Sequence, residues 1–276
     1  MKSSRSGKWQ KGKQGGGRSN APQPKRSVGQ GDAYITGWNG VRECLASDKV
    51  KVHQVWLDPR KMNETDWKGI RQYGRQIEET GAKETPYGPL TQGIAALVKL
   101  PEAPDLDELL DDLVERGETP LLVVLDQVED PMNLGQILRT CEGAGVHGLV
   151  VAKHRAIHLN QTVAQVSQGA FAWVPLIEAG NLRQTIDHLK QRGVWTVGTA
   201  VDPRAKPWHA VDMRDPLALV MGAEGKGLRR LTQESCDHLV YLPMAGRLDS
   251  LNVGAATAAV VFEAVRQRAA AEPSEG

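Results

Sequence analysis

Six short apolar runs punctuate the second half of the chain: Leu121 to Leu125, Gly148 to Val151, Trp173 to Ile177, Val194 to Gly198, Leu217 to Met221 and Leu239 to Leu242. Helical or loop segments separate them. Continuous β-rich runs in this rhythm predict an α/β fold with a parallel sheet covered on both faces. Ligands of such sheets collect at the carboxyl ends of the strands. Four of the runs pass directly into loops rich in small and polar residues.

Upstream the pattern changes. From Tyr34 to about Leu100 a smaller α/β unit is expected, with Gly40 to Ala46 helical and Val50 to Leu57 alternating as a strand. Trp67 to Thr80 is polar but compatible with a helix closed by Gly81. The unit has no nucleotide loop or metal spacing, so it reads as a binding or docking module. Between Glu102 and Glu118 the chain turns acidic, while Leu106, Leu109, Leu110 and Leu113 recur at helical spacing. A helix with one buried and one solvated face is expected there, and it marks a boundary. The division is 1–30 as a tail, 31–101 as the small module, 102–119 as an acidic linker helix and 120–276 as the large domain.

Charge changes the picture at the N-terminus. The net charge of +1 conceals a tail, residues 1–30, with eight Lys or Arg and no Asp or Glu. The remaining 26 basic and 33 acidic residues leave the body at −7. Trp9 is the tail's only large apolar side chain before Val28, so burial cannot offset the entropy of ordering, and disorder is expected. Such a tail suits a phosphate backbone; a merely solubilising role is the plainer alternative. Cys44, Cys141 and Cys236 are too few and too far apart for a disulfide framework or metal knuckle, and read as reduced thiols of a cytoplasmic protein. No apolar run approaches the roughly 20 residues of a membrane span. The basic N-terminus lacks the apolar core of a signal peptide.

Three constellations carry chemistry. In Asp126-Gln-Val-Glu-Asp-Pro-Met-Asn133-Leu-Gly135-Gln-Ile-Leu-Arg139-Thr-Cys141, the spacing of Leu134, Ile137, Leu138 and Cys141 sets a helix with Asn133 as its N-cap. Arg139 would lean over Gly135 toward the strand ends. Met221-Gly222-Ala-Glu224-Gly225-Lys-Gly227-Leu228 follows a strand and lets the backbone approach a ligand, with Glu224 the carboxylate inside the loop. It is not a Walker loop. In Leu242-Pro-Met-Ala-Gly-Arg-Leu-Asp-Ser250-Leu-Asn252-Val-Gly-Ala-Ala256, Ser250 and Asn252 can cap the next helix, and capping alone would explain either. That helix is apolar along Leu251, Ala255, Ala258, Phe262 and Val265, widened by Val253, Ala256, Val260, Val261 and Ala264, which suggests a homodimer. Two motifs are decoys. Gly143-Ala-Gly145-Val-His-Gly148 follows a helix, the reverse of the dinucleotide context. His154 and His158 lack a third metal ligand.

Together, in this order, the constellations resemble the SpoU (TrmH) branch of the SPOUT methyltransferases over about residues 120 to 268. The preceding module resembles the L30e-like domain of the branch that methylates a guanosine ribose in 23S rRNA. The resemblance implies a C-terminal trefoil knot binding S-adenosylmethionine, without a metal, in a site that dimerisation completes. By motif, Gly222, Leu242 and Leu251 would line the cofactor pocket with Thr199, Ala200 and Met244 beside it. Asn133, Arg139, Glu224, Ser250 and Asn252 would be the catalytic or substrate-ordering set. Cys141 stands where alanine is usual, and Gly254 where serine often follows. The expected activity is 2′-O-methylation of a guanosine ribose in 23S rRNA by a cytoplasmic, dimeric enzyme. A tRNA ribose methyltransferase and a non-catalytic RNA-binding assembly factor are the alternatives; a dinucleotide oxidoreductase is disfavoured by the misplaced glycine motif.

Overall fold

The computed structural model describes residues 26–61, 63–73, 77–81, 83–153 and 157–271. The expectations for residues 1–25 and for His154 lie outside these. A four-stranded sheet comes first, built from β1 (Asp32–Thr36), β2 (Lys51–Leu57), β3 (Ile77–Glu79) and β4 (Ile94–Lys99) in the order β1-β4-β2-β3. Helices α1 (Trp38–Ala46) and α2 (Glu64–Arg71) belong to the same unit. The helix expected over Trp67 to Thr80 is corrected. Asn63 Oδ1 accepts the Asp66 N–H at 2.8 Å and starts α2 early, while Ile77 to Glu79 pair alongside Val55 to Leu57 as a strand. The tail also ends sooner than expected, since the Arg26 N–H donates to Pro86 O and Val28 packs beside Tyr34, Trp56 and Leu90.

Helix α3 (Leu106–Glu115) follows, capped by Asp105 and burying Leu110 and Leu113. The large sheet and its helices then alternate: β5 (Leu121–Asp126), α4 (Pro131–Gly143), β6 (Gly148–Ala152), α5 (Gln161–Val166), β7 (Leu176–Ala179), α6 (Leu182–Gln191), β8 (Trp195–Thr199), β9 (Lys206–Pro207), β10 (Leu217–Gly222), α7 (Arg230–Ser235), β11 (His238–Tyr241) and α8 (Val253–Ala271). The strand order is β7-β6-β5-β10-β8-β11-β9, and every neighbouring pair is parallel. The strand expected from Trp173 begins at Leu176 instead, because Ala170 to Ala172 wind into a 3-10 turn that leaves Trp173 40% exposed.

Strand β5 is apolar on both faces because it serves two cores. Leu121, Val123 and Leu125 pack with Leu134, Ile137 and Leu138 of α4 and Val260 and Val261 of α8. Leu122 and Val124 pack with Leu110 of α3 and Ile186 and Leu189 of α6. The first of these cores runs on into the small sheet through Ile35 and Val55 and into α1 through Val41. Burial pushes the thiols of Cys44, Cys141 and Cys236 up to about 12, which keeps them protonated and inert. Among the described residues, no helix is long and apolar enough to cross a membrane.

At the amino ends of the strands, Arg268 of α8 donates to Thr119 O, Pro120 O, Met213 O and Asp215 O at 2.8–3.4 Å. Beside it, His147 Nδ1 accepts the Leu121 N–H at 3.0 Å and its Nε2 lies 3.0 Å from Glu118. The arginine fastens the last helix to the sheet.

Candidate active site

The opposite edge is open. Loops leaving β8, β10 and β11 enclose a cavity of about 820 Å³. Gly222, Leu242, Leu251, Thr199, Ala200 and Met244, the six residues expected around a cofactor, all line it. The β10 loop folds back so tightly that a Cβ on Gly222 would sit 2.2 Å from the Gly227 carbonyl carbon and 2.4 Å from Leu228 N. The Gly227 N–H donates to Ala223 O at 2.8 Å, with Gly225 and Gly227 at φ +73° and +64°. Only glycine tolerates this path.

Sequence reasoning overlooked what ties this loop down. Asp126, fully buried at the end of β5, accepts from Arg229 N at 2.9 Å and from Arg229 Nε at 2.7 Å. The signal was present: a carboxylate closing an otherwise apolar strand needs a partner.

Three distant segments meet at Asn252. Its Nδ2 donates to Asn133 Oδ1 at 2.9 Å and to Glu224 Oε2 at 3.3 Å, while its Oδ1 accepts the Gly254 N–H at 2.9 Å. It therefore starts α8 and joins the first and second constellations to the third. Asn133 is not the N-cap of α4, as the sequence suggested. Asp130 takes that position, accepting from Met132 N and Asn133 N, with Pro131 opening the helix. This leaves the Asn133 side chain free to meet Asn252. Ser250 lines the cavity but does not cap α8; its nearest polar partner is Asp249 Oδ1 at 3.5 Å.

Arg139 stands apart from the cavity lining, exposed on α4. Among the described residues no hydrogen bond or ion pair engages its guanidinium. The glycine beneath it has another reason than clearance for that arginine. Gly135 is buried, and a Cβ there would meet Val166 Cβ of α5 at 2.6 Å, so the glycine lets α4 and α5 touch.

A profile of the SpoU rRNA Methylase family matches residues 120–262. The chain belongs to this family. Membership makes it a methyltransferase, and S-adenosylmethionine is the family's methyl donor. The 23S rRNA (guanosine-2′-O-)-methyltransferase RlmB of Ralstonia nicotianae is 50% identical over 245 residues, 85% of this chain and 95% of its own. Its namesake in Pseudomonas putida is 48% identical over 240 residues, 85% and 96% of the two chains. Among solved structures, the SpoU methyltransferase AviRb from Streptomyces viridochromogenes in complex with AdoMet superposes with a TM-score of 0.71 at 26% identity, covering 87% of this chain and 92% of that one.

The cavity suits such a donor on its own terms. Apolar Leu242, Leu251 and Met221 can flank an adenine, and the bare backbone at Gly222 admits close approach.

Proposed function

We propose that this methyltransferase acts on the 2′-hydroxyl of a guanosine ribose in 23S rRNA. The observation that carries the reading is the junction at Asn252, which gathers one side chain from each of the three constellations beside the cavity. The extent of likeness to the RlmB proteins supports the choice of RNA. Gly222, Leu242, Leu251, Thr199, Ala200 and Met244 hold S-adenosylmethionine, which supplies an electrophilic methyl group on a sulfonium. The loops around them are threaded as the trefoil knot of the family. The small sheet and its helices form an L30e-like domain that binds the rRNA, and the basic tail adds phosphate contacts.

The chain's residues must orient the ribose oxygen in line and relieve it of its proton. Orientation alone can be worth about 7–11 kcal/mol. Asn133, Glu224 and Asn252 order the nucleotide. A guanidinium is a poor proton acceptor, so Arg139 grips the target phosphate and stabilises charge developing on the ribose oxygen, while Ser250 or the phosphate relays the hydroxyl proton to solvent. Because Arg139 lies outside the lining of this copy's cavity, a second copy completes the site. The apolar surface left on Met132, Leu251 and Phe262, 48%, 41% and 46% exposed, supports a homodimer seam along α4 and α8. The enzyme works in the cytoplasm, where its RNA is.

Methyl transfer from tritiated S-adenosylmethionine to purified 23S rRNA and tRNA tests the reading. Label on a guanosine ribose of 23S rRNA is expected. Label confined to tRNA would reassign the substrate, and label on neither would favour an RNA-binding assembly factor.

A further inference from the structure

Strand β1 lies at the edge of the small sheet, with Ala33 and Ile35 facing β4 and the backbone of Tyr34 and Thr36 facing outward. Such an edge is normally an unpaired row of donors and acceptors. Here two side chains from the large domain occupy it. Gln161 Oε1 accepts the Tyr34 N–H at 2.6 Å, and its Nε2 donates to Tyr34 O at 2.6 Å. Gln165 Oε1 accepts the Thr36 N–H at 2.8 Å, and its Nε2 donates to Thr36 O at 3.0 Å. Residues four apart on a helix are separated by about 6 Å along its axis, and residues two apart on a strand by about 6.6 Å. A glutamine pair at i and i+4 thus reads a strand edge as a neighbouring strand would.

The contact continues toward the candidate active site. Helix α5, which carries both glutamines, presses Val166 against Gly135 of α4, and α4 carries Asn133 and Arg139. Around the clamp, Ser47 Oγ donates to Ala172 O at 2.8 Å and Trp173 Nε1 donates to Glu43 Oε2 at 3.0 Å. Gly169 sits where a Cβ would lie 2.5 Å from Glu43 Cβ.

We infer that Gln161 and Gln165 are positioning residues, which lock the edge of the small domain to α5 and so set where RNA held by that domain meets the methyl-transfer site. The functional half of this inference rests on the proposed action on rRNA; the lock itself does not. A displacement of about 1 Å far from the chemistry can lower a rate by about 10²-fold, so the orientation of an RNA-holding domain matters to turnover.

Amide hydrogen exchange on the full-length Gln161→Ala/Gln165→Ala protein tests the lock. Exchange at Tyr34 and Thr36 should accelerate at least about tenfold, as expected of amides losing the acceptors seen among the described residues, while Ala33 and Ile35, bonded to β4, stay protected. The pair Gln161→Glu/Gln165→Glu keeps an oxygen that can accept the Tyr34 and Thr36 N–H groups but sets the second carboxylate oxygen against their carbonyls, and should speed exchange less than the alanine pair does. In methylation assays the alanine pair should lower kcat for 23S rRNA about tenfold, with KM for the RNA and the cofactor dissociation constant within about twofold of wild type. Wild-type exchange at Tyr34 and Thr36 in the alanine pair overturns the lock. Faster exchange with an unchanged kcat overturns the positioning role. If the wild-type protein methylates no RNA, the proposed function fails, and exchange alone decides whether the lock exists.

Discussion

The two ends of the large parallel sheet use similar polar side chains to opposite effect. At the amino end, Arg268 donates to four carbonyls and His147 has a partner at each ring nitrogen. At the carboxyl end, Ser250 lines the cavity and has only a long contact to its neighbour, while on α4 Arg139 is exposed and without a partner among the described residues. Arg268 is committed to carbonyls of its own chain, whereas Ser250 and Arg139 keep hydrogen-bonding capacity for something outside it. The difference teaches that unsatisfied donors beside a cavity, rather than polarity as such, separate a site from a staple.

The comparison breaks most sharply at Arg139. Arg139→Ala should lower kcat for methyl transfer by about 10²–10³-fold, the usual loss when one positioned donor is removed from a transition state. Affinity for S-adenosylmethionine, read by calorimetry, should stay unchanged. Arg139→Lys refines the idea, since near-normal turnover would argue against a bidentate grip. Gly222→Ala comes next. Its methyl group would overlap the Gly227 and Leu228 backbone, so the loop must shift, destabilising the protein by about 2–3 kcal/mol and weakening cofactor binding by about tenfold or more. Wild-type cofactor affinity in this variant would show that the loop is not part of the pocket wall.

Much of the large domain was legible because its strands are buried on both faces, and a continuous apolar run as short as Leu121 to Leu125 fits a doubly covered strand better than a helix. Helix α4 was equally readable from the stripe Leu134, Ile137, Leu138 and Cys141, all of them buried. Its start was misplaced because Asp130 and Asn133 are both good caps, and the Asp-Pro sequence at its first turn decides for Asp130. The small sheet was less legible: β1 and β4 pair from Asp32 with Lys99 to Thr36 with Ala95, far apart in the chain, and Ile77 to Glu79 carry no alternation long enough to announce a strand. Around the cavity, sequence supplied the residue set but not its wiring. Asn252 linking Asn133 to Glu224, and Asp126 holding Arg229, are long-range pairs that local pattern cannot encode. Gly135 shows the opposite hazard, since a glycine that seemed to clear a path for Arg139 answers instead to Val166.

Arg268→Ala probes the stapled end. Removing the guanidinium takes a donor from the Thr119, Met213 and Asp215 carbonyls and leaves Pro120 O with only the Leu217 N–H among the described residues; it should lower stability by about 2–3 kcal/mol, seen as a lower Tm, while the cofactor dissociation constant of the folded protein stays put. A variant that keeps its Tm but loses cofactor would mean that the two ends are not the separate devices described above.

The smallest effect is the pH response of His147. Burial holds its imidazole below the ordinary 6.5, a fall that Glu118 opposes and Arg268 reinforces. The geometry agrees: Nδ1 accepts the Leu121 N–H, so the ring carries its proton on Nε2 toward Glu118. A second proton would set an N–H against an N–H at the first residue of β5. The folded state therefore binds this proton less readily than the unfolded chain. Its contribution to stability is complete above pH 6.5 and declines as pH falls through the folded value. The ring is partly open to solvent, so screening keeps the effect small. Urea midpoints measured from pH 8 to pH 5 should fall more steeply for the wild type than for His147→Gln, whose amide does not titrate. Parallel curves would show that the acid limb belongs to other groups and that this end of the sheet holds no proton-sensitive bond.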